Sequence, residues 1–539
     1  MQLIRKKNNI KLKRSISIYL FLLIVLFGIF FRTVNLDKKG YWHDEIYTQL
    51  RVSGYSDIAV KNARFGKIIS KQELMKFQGA SKQNDARDIL VSLRTDIHTP
   101  LYFVSLKYWQ DLWGTSLAST KSFSAVFGVL SLYLIYITCQ EIFNSILTAR
   151  IAVSLMALSP IFIRYSIEAR PYPMWISSLL LSTYLLLKAL KSNDKKIWIA
   201  YAIALSASFY LHLLSFYFYI GHLVYVVATK TIKNSEKVII YLFSSAIGFL
   251  LFIPWFLEVI IPKQNSILYQ SAWIRSKIPM SSLINEQLKN ITHLFISYEF
   301  SNNVLLYIFA SIILALVLYS FFYLARTQRI SSWLLVYSLG YSTILFLYQD
   351  IFSGGQRTRI PHYSLPCYIA IVIAVSYTIS SNIISSDRIK KNTALCLFSL
   401  SIIISTVTNL NTISHKDWWG WSKFDHEIAE IINARPNPLI ICNSRIGALM
   451  PVVHLLNENA DFLMLDPSAP PILEIFDNYN NVYLISPSKK IEESLISNYN
   501  VQIKSLYQYS DGFVEAKLFK VTKSFSSSLR QDLVQSYRN

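Results

Sequence analysis

The sequence predicts a polytopic α-helical membrane protein of about eleven transmembrane helices, with a small extracytoplasmic α/β domain at its C-terminal end. Three observations carry this reading. Of 539 residues, 53% are hydrophobic and the mean hydropathy is +0.34. Charged residues make up only 16%, against roughly 25% in an average soluble domain, and long stretches carry none. Beyond about residue 411 the pattern changes from long apolar runs to short, β-rich ones.

A membrane-crossing helix needs about 20 mostly apolar residues. Eleven such segments run over roughly 15–34, 120–140, 147–164, 171–190, 197–212, 213–229, 237–259, 303–325, 331–349, 363–384 and 392–410. The first is too long, and lacks the small-residue cleavage site, for a removed leader, and is read as an anchor. The 197–229 stretch is too long for one span and is split near His212. With eleven spans, the basic stretches before the first span and at Lys191–Lys196, Lys230–Lys237, Arg326–Arg329 and Arg388–Lys391 fall on one side. The bias of inner loops toward Lys and Arg makes that side cytoplasmic, with the N-terminus. The same bias accounts for the net charge of +21. Nucleic-acid binding is excluded, because the basic residues form no stripe interleaved with aromatics on a soluble module.

The opposite, extracytoplasmic side then holds the first outer loop 35–119, the loop 260–302, the turns 165–170 and 350–362, and everything after about 411. This gives a membrane domain over 1–410 and an outer domain over 411–539, in an integral protein of the cell (inner) membrane. In the outer domain short apolar runs recur at Pro438–Cys442, Asp461–Asp466, Val482–Ser486, Val501–Leu506 and Ala516–Val521, the pattern of a small α/β layer structure. It holds no phosphate-binding glycine loop and reads as an accessory lid or docking domain. Of the four cysteines, Cys139, Cys367 and Cys396 lie in or beside apolar segments and Cys442 stands alone, so neither a disulfide pair nor a metal-ligand spacing is visible.

Ionisable residues cluster at the outer ends of the spans. The first outer loop opens with Gly40–Tyr47, which contains Asp44 and Glu45 among aromatics. A carboxylate there can take a proton from an acceptor hydroxyl within hydrogen-bond reach; the plainer reading is an interfacial aromatic belt with two solvated acids. The loop closes with Asp96-Ile-His-Thr-Pro-Leu-Tyr102, in which Asp96 and His98 supply a second acid and an imidazole, or simply a turn and cap. The amphipathic stretch Leu101–Trp113 follows. The turn Arg164–Tyr172 places Glu168, Arg170 and Tyr172 between two apolar segments, where ionisable groups are rare and point to function by default. Arg170 pairs with Glu168 or binds a phosphate. Finally, Arg357, Arg359 and His362 precede Tyr363 on an outer turn, against the inside bias. Guanidinium forks suit a phosphate anion, and the plainer reading is a loop basic by chance.

These motifs together resemble the GT-C fold of integral-membrane glycosyltransferases, above all the dolichyl-phosphate-mannose protein mannosyltransferases and the bacterial lipid A aminoarabinose transferases. The family's acidic pair is matched by Asp44-Glu45, its Asp-x-His-Pro-Pro-Leu-Tyr segment by Asp96–Tyr102 with Thr99 in place of a proline, and its Glu-Ala-Arg-Pro-Tyr element by Glu168–Tyr172. Leu251–Trp255 resembles its Pro-Trp element. The turn before Tyr363 resembles its Arg-Tyr segment, although Arg359 and Tyr363 are not adjacent. Lys121 stands where the family often has arginine.

The resemblance covers roughly residues 35–370. It implies inverting transfer of a sugar from a polyprenyl-phosphate-linked donor to a hydroxyl of a glycan, lipid or protein acceptor on the outer face. Asp44 would be the base, with Glu45, Asp96 and His98 completing the catalytic set. Arg170, Arg357 and Arg359 would hold the departing phosphate, beside Glu168, Tyr172 and Tyr363. No cofactor is implied; Asp44, Glu45 and Asp96 could serve a divalent metal, a reading not favoured. The rival classes are a transporter or flippase of lipid-linked glycans, which would place its charges near the bilayer midplane, and a sensor or assembly protein whose outer domain is the functional part.

Overall fold

The computed structural model describes residues 2–79, 84–94, 96, 98–229, 235–262, 272–297, 303–328, 330–416, 423–443, 446–465, 478–499, 501–510 and 515–523. The basic residues Lys230, Lys233 and Arg329, and Asp466 at the end of the second outer-domain run, lie outside these. In chain order the helices are α1 (Gln2–Thr33), α2 (His43–Val52), α3 (Asp57–Arg64), α4 (Lys71–Met75), α5 (Ala86–Leu93), α6 (Leu101–Trp113), α7 (Leu117–Phe143), α8 (Ile146–Leu158), α9 (Pro160–Ser166), α10 (Tyr172–Lys191), α11 (Lys195–Leu211), α12 (Ser215–Ala228), α13 (Ser235–Trp255), α14 (Met280–Thr292), α15 (Asn303–Thr327), α16 (Ile330–Phe352), α17 (Leu365–Ile383), α18 (Arg388–Ser414), α19 (Lys423–Asn433), α20 (Ile446–Leu455) and α21 (Lys489–Tyr499). The strands are β1 (Ile68–Ser70), β2 (Pro438–Cys442), β3 (Asp461–Met464), β4 (Asn481–Ile485), β5 (Val501–Ser510) and β6 (Glu515–Lys523).

The chain divides into two units: residues 1–38 with 93–415, and residues 39–92 with 416–539. Among the described residues the regular elements of the first unit are all helices. Every apolar segment read from the sequence forms helix there. Among the described residues six helices are long and apolar enough to cross a membrane, and a seventh crossing arises if the bent pair α8–α9 counts as one. The expected figure of about eleven is larger, in part because α11 and α12 have only 17 and 14 residues against the 20 or so a span needs. The break between them falls at His212, where the sequence places it. α17 is the central helix, buried along nearly its whole length and packed on α8, α15, α16 and α18.

One irregularity in this unit sets the site. α8 and α9 meet at 63°, because Pro160 opens α9 and cannot continue the hydrogen-bond ladder of α8. The carbonyls released at the end of α8 are taken up by side chains. Arg32, fully buried, donates from Nη1 to Ala157 O at 2.6 Å and from Nη2 to Met156 O at 2.9 Å. Asn409 Nδ2 donates to Leu158 O at 2.8 Å. The helix end is thus satisfied inside the bundle, and α9 leads into the turn before α10.

The second unit is a mixed six-stranded sheet of order β1-β3-β2-β4-β6-β5. β2 pairs parallel with β3 and β4, and β1, β6 and β5 add antiparallel edges. β2 is buried at every residue, as expected of a central parallel strand covered on both faces. Leu439, Ile441, Leu484, Leu495 and Val521 form part of its core. β1 belongs to the first outer loop: Ile68–Ser70 pairs with Asp461–Leu463, so residues 39–92 fold with the C-terminal segment rather than with the helices that flank them in sequence.

Candidate active site

In the helical unit the site is built at the head of α10. Pro171 fixes the entry of the chain, and the Arg170 N–H donates to Glu168 O at 2.8 Å, a tight turn that aims Arg170 back across the helix ends. Arg170 Nη2 lies 2.8 Å from His98 Nε2, and His98 Nδ1 lies 2.8 Å from Asp96 Oδ1. Arginine has only donors. His98 Nε2 therefore accepts, the imidazole proton sits on Nδ1, and that N–H donates to Asp96. The result is a carboxylate–imidazole–guanidinium chain in which each member fixes the next.

Around it stand aromatic rings. The Arg170 guanidinium lies 5.6 Å from the Tyr172 ring centroid. Tyr172 stacks on His362 at 4.4 Å and 17°, and Tyr165 meets Tyr172 edge-on at 5.0 Å. Ser124 Oγ donates to Arg170 O at 3.1 Å and lies 2.8 Å from the Tyr102 hydroxyl, which ties α6 and α7 to the same turn. Glu168 is taken by another partner: Arg164 Nε donates to its Oε1 at 2.8 Å, with both side chains almost fully buried. A buried pair of this kind holds the α9–α10 corner, and removing one partner strands a charge.

The turn 350–362 separates its two arginines. Asp350, whose side chain is fully buried, accepts from Arg357 Nη1 at 2.9 Å, from the Thr358 N–H at 2.7 Å and from Thr358 Oγ1 at 2.9 Å. Arg357 is thus engaged in shaping the turn. Arg359 donates to Gln356 Oε1 at 3.1 Å and is only partly buried. Gln356 fastens the turn to Trp273 O and Ile274 O. Gly354, at φ +75°, supplies the left-handed backbone that the turn needs and a side-chain residue resists.

In the sheet unit, Asp44 and Glu45 sit in the first turn of α2, where carboxylates oppose the positive helix end. They differ in role. Glu45 is buried and its Oε2 accepts from the Trp42 N–H at 3.3 Å, which caps the helix. Asp44 is half-exposed. α20 packs against α2 through Gly447: a Cβ there would come within 2.6 Å of Tyr47 and 2.7 Å of His43, the residues flanking Asp44 on its helix.

Of the residues singled out from sequence, the helical unit brings together Asp96, His98, Arg170 and Tyr172, places the Glu168–Arg164 pair beside them, and gives Arg357 to Asp350. Asp44 and Glu45 are adjacent in the sheet unit. In neither unit do three or more His, Cys, Asp or Glu side chains converge on a metal-sized site among the described residues. Two functional candidates were not singled out. His212 stacks on Trp175 at 4.3 Å and 19°, and its Nδ1 accepts from the Leu214 N–H at 3.1 Å, which puts its proton on Nε2. Asp350 is the hub of the arginine turn. An acid at the end of an apolar run, seven residues before an arginine, was the available signal for it.

Residues 97–257 match the family described as dolichyl-phosphate-mannose-protein mannosyltransferase, a stretch that contains His98, Arg170 and Tyr172. No curated protein matches the chain by overall sequence. Among solved structures, ArnT from Cupriavidus metallidurans in the apo state superposes with a TM-score of 0.56, and the same protein bound to undecaprenyl phosphate with 0.54. In each case the identity is 10%, with 94% of this chain and 98% of that chain covered. The chain therefore has the GT-C-like fold of a membrane glycosyltransferase, and over residues 97–257 it is similar to the dolichyl-phosphate-mannose-protein mannosyltransferases.

Proposed function

We propose that this chain transfers a sugar, with inversion, from a polyprenyl-phosphate-linked donor to a hydroxyl acceptor at the extracytoplasmic face of the membrane. The Asp96–His98–Arg170 chain carries the reading. It holds a guanidinium, a group suited to phosphate oxygens, in a fixed orientation at the head of a membrane helix. The similarity of residues 97–257 to mannosyltransferases and the undecaprenyl phosphate bound by ArnT support a lipid-phosphate leaving group.

In this mechanism the acceptor oxygen attacks the sugar carbon as the bond to the phosphate oxygen breaks. Asp44 takes the acceptor proton, and polyprenyl phosphate leaves with the bonding electron pair. Arg170, oriented by His98 and Asp96, balances the charge that grows on the phosphate. Arg359 adds a second guanidinium from the turn before Tyr363. Tyr172 and His362 offer flat faces to the sugar or the prenyl headgroup. Glu45 supports Asp44 by holding the first turn of α2.

Membrane vesicles carrying the full chain and a radiolabelled undecaprenyl-phosphate sugar provide the test. Release of undecaprenyl phosphate should fall by more than about a hundredfold in Asp44→Asn, the usual scale for a lost general base, at unchanged protein level. Full turnover in that variant removes Asp44 as the base.

A further inference from the structure

We infer that the end of the helical unit remote from Arg170 carries a second anion site, built to hold the phosphate of a membrane phospholipid headgroup. α7 and α10 pack side by side. Their N-terminal ends meet at Arg170, through the bond from Ser124 to the Arg170 carbonyl. Their C-terminal ends meet at Glu141, Lys188 and Lys191. α10 has 20 residues, which at about 1.5 Å each span about 30 Å, the thickness of a bilayer core. The two ends therefore face opposite membrane surfaces, so this site is separate from the one assigned to the donor.

The remote end holds a half-open cavity of about 580 Å³ lined by Glu141, Lys188, Lys191, Asn144, Tyr184 and Ile137, with Gln140 beside them. That volume falls in the range of small-molecule sites. Lys191 Nζ lies 2.6 Å from Glu141 Oε1, and Lys188 Nζ 3.1 Å from Oε2. The Glu141 side chain is largely buried, at 13% exposure, whereas the two lysines are 44% and 61% exposed. Clipping α7 to α10 needs one lysine on that carboxylate and no cavity. Two ammonium groups on one buried carboxylate leave a net positive charge at the cavity wall. Lys188 gives Glu141 one of its three N–H donors, and Lys191 divides its own between the Glu141 carboxylate and carbonyl, so donors remain for a third party.

The Asn144 amide and the Tyr184 hydroxyl suit glycerol and ester oxygens. Ile137 and the Tyr184 ring, a turn deeper on α7 and α10, suit the start of an acyl chain. Basic pockets between membrane helices hold anionic headgroups by this chemistry. The shared recognition element is a phosphate oxyanion, and Ile137 with the Tyr184 ring favours a lipid over a free anion.

Native mass spectrometry of the full-length chain in detergent, titrated with dioleoylphosphatidylglycerol, reads the site. Each lysine removed should weaken retention roughly fivefold, the factor for one charge beside an anionic group, so that Lys188→Ala/Lys191→Ala loses the tightest phosphatidylglycerol adduct. Lys195→Ala/Lys196→Ala, which removes the same charge from the first turn of α11, should leave that adduct in place. Glu141→Gln should retain or tighten it, because the ammonium groups stay and the competing carboxylate is gone. Equal losses in the two double variants would reduce the site to diffuse surface charge and overturn the proposal. Displacement of the lipid by millimolar inorganic phosphate would overturn its lipid selectivity. None of these readouts requires sugar transfer, so they stand or fall apart from the activity proposed above.

Discussion

Arg170 and His98, 72 positions apart in sequence, meet with 2.8 Å between Nη2 and Nε2. Because the arginine can only donate, this single contact settles the imidazole tautomer and passes orientation from Asp96 to the guanidinium. The two matched motifs are thereby one device rather than two.

The consequence is a graded series. Arg170→Ala should lower kcat/KM for the polyprenyl-phosphate donor by about 10²–10³, the scale of a lost charge-stabilising donor. Arg170→Lys should not restore it, since an ammonium lacks the planar fork. Asp96→Asn, whose amide oxygen still accepts from Nδ1–H, should cost about tenfold, the lower end of the range for an orienting partner. Steady-state kinetics on purified variants checks the order; a larger loss in Asp96→Asn than in Arg170→Ala would contradict it.

The two arginines of the 350–362 turn should separate by readout. Arg357→Ala strips an ion-pair partner from a fully buried Asp350 and should lower thermal stability by about 2–3 kcal/mol, somewhat below the cost of stranding a wholly buried charge, because two Thr358 bonds remain. Arg359→Ala should leave the melting temperature within a degree or two and reduce donor use instead. Arg326→Ala, an exposed site at the end of α15, should do neither. Thermal shift and transfer measured on the three variants together test the division.

The sequence made the helical segments legible because each is apolar over the length of a helix, and it placed the break at His212. It made Asp96, His98 and Arg170 legible because charges stand out at the ends of apolar runs. Pairing was not legible. Nothing in Ser353–Tyr363 says which arginine turns inward; that is decided by Asp350, which reads as the tail of an apolar helix. Nor does periodicity reveal that Ile68–Ser70 joins a sheet whose other strands begin at Pro438. A three-residue edge strand is too short to carry a pattern of its own, and its partner lies nearly 400 residues away.

The sheet unit should weaken in mild acid through His454. The ring is partly buried against Tyr41, with centroids 5.1 Å apart. Burial first, and then the charge of Lys71, pull its pKa down from 6.5 to about 4. The unfolded chain therefore binds this proton more readily than the folded one. The stabilising effect is complete above about pH 6.5 and is lost as the pH falls toward 4, by up to about 3 kcal/mol. Amide exchange in α20 of the intact protein should rise over that window and level off below it. His454→Gln, which cannot take a proton there, should flatten the profile.

Gly447 should govern the placement of Asp44. An added Cβ meets Tyr47 Cε2 at 2.6 Å and His43 Cε1 at 2.7 Å, closer than van der Waals contact allows, so α2 or its rings must shift. His43 is exposed and can swing aside, whereas Tyr47 is half-buried and carries most of the penalty. Gly447→Ala should cost about 1–3 kcal/mol, the usual price of overpacking, and lower transfer along with it. Tyr47→Ala opens the space the methyl group needs. In Gly447→Ala/Tyr47→Ala the combined stability loss should thus fall short of the sum of the single losses, the non-additivity expected of residues in contact. Strict additivity would mean that α2 and α20 do not meet at this point, and the close approach would then have no part in holding Asp44.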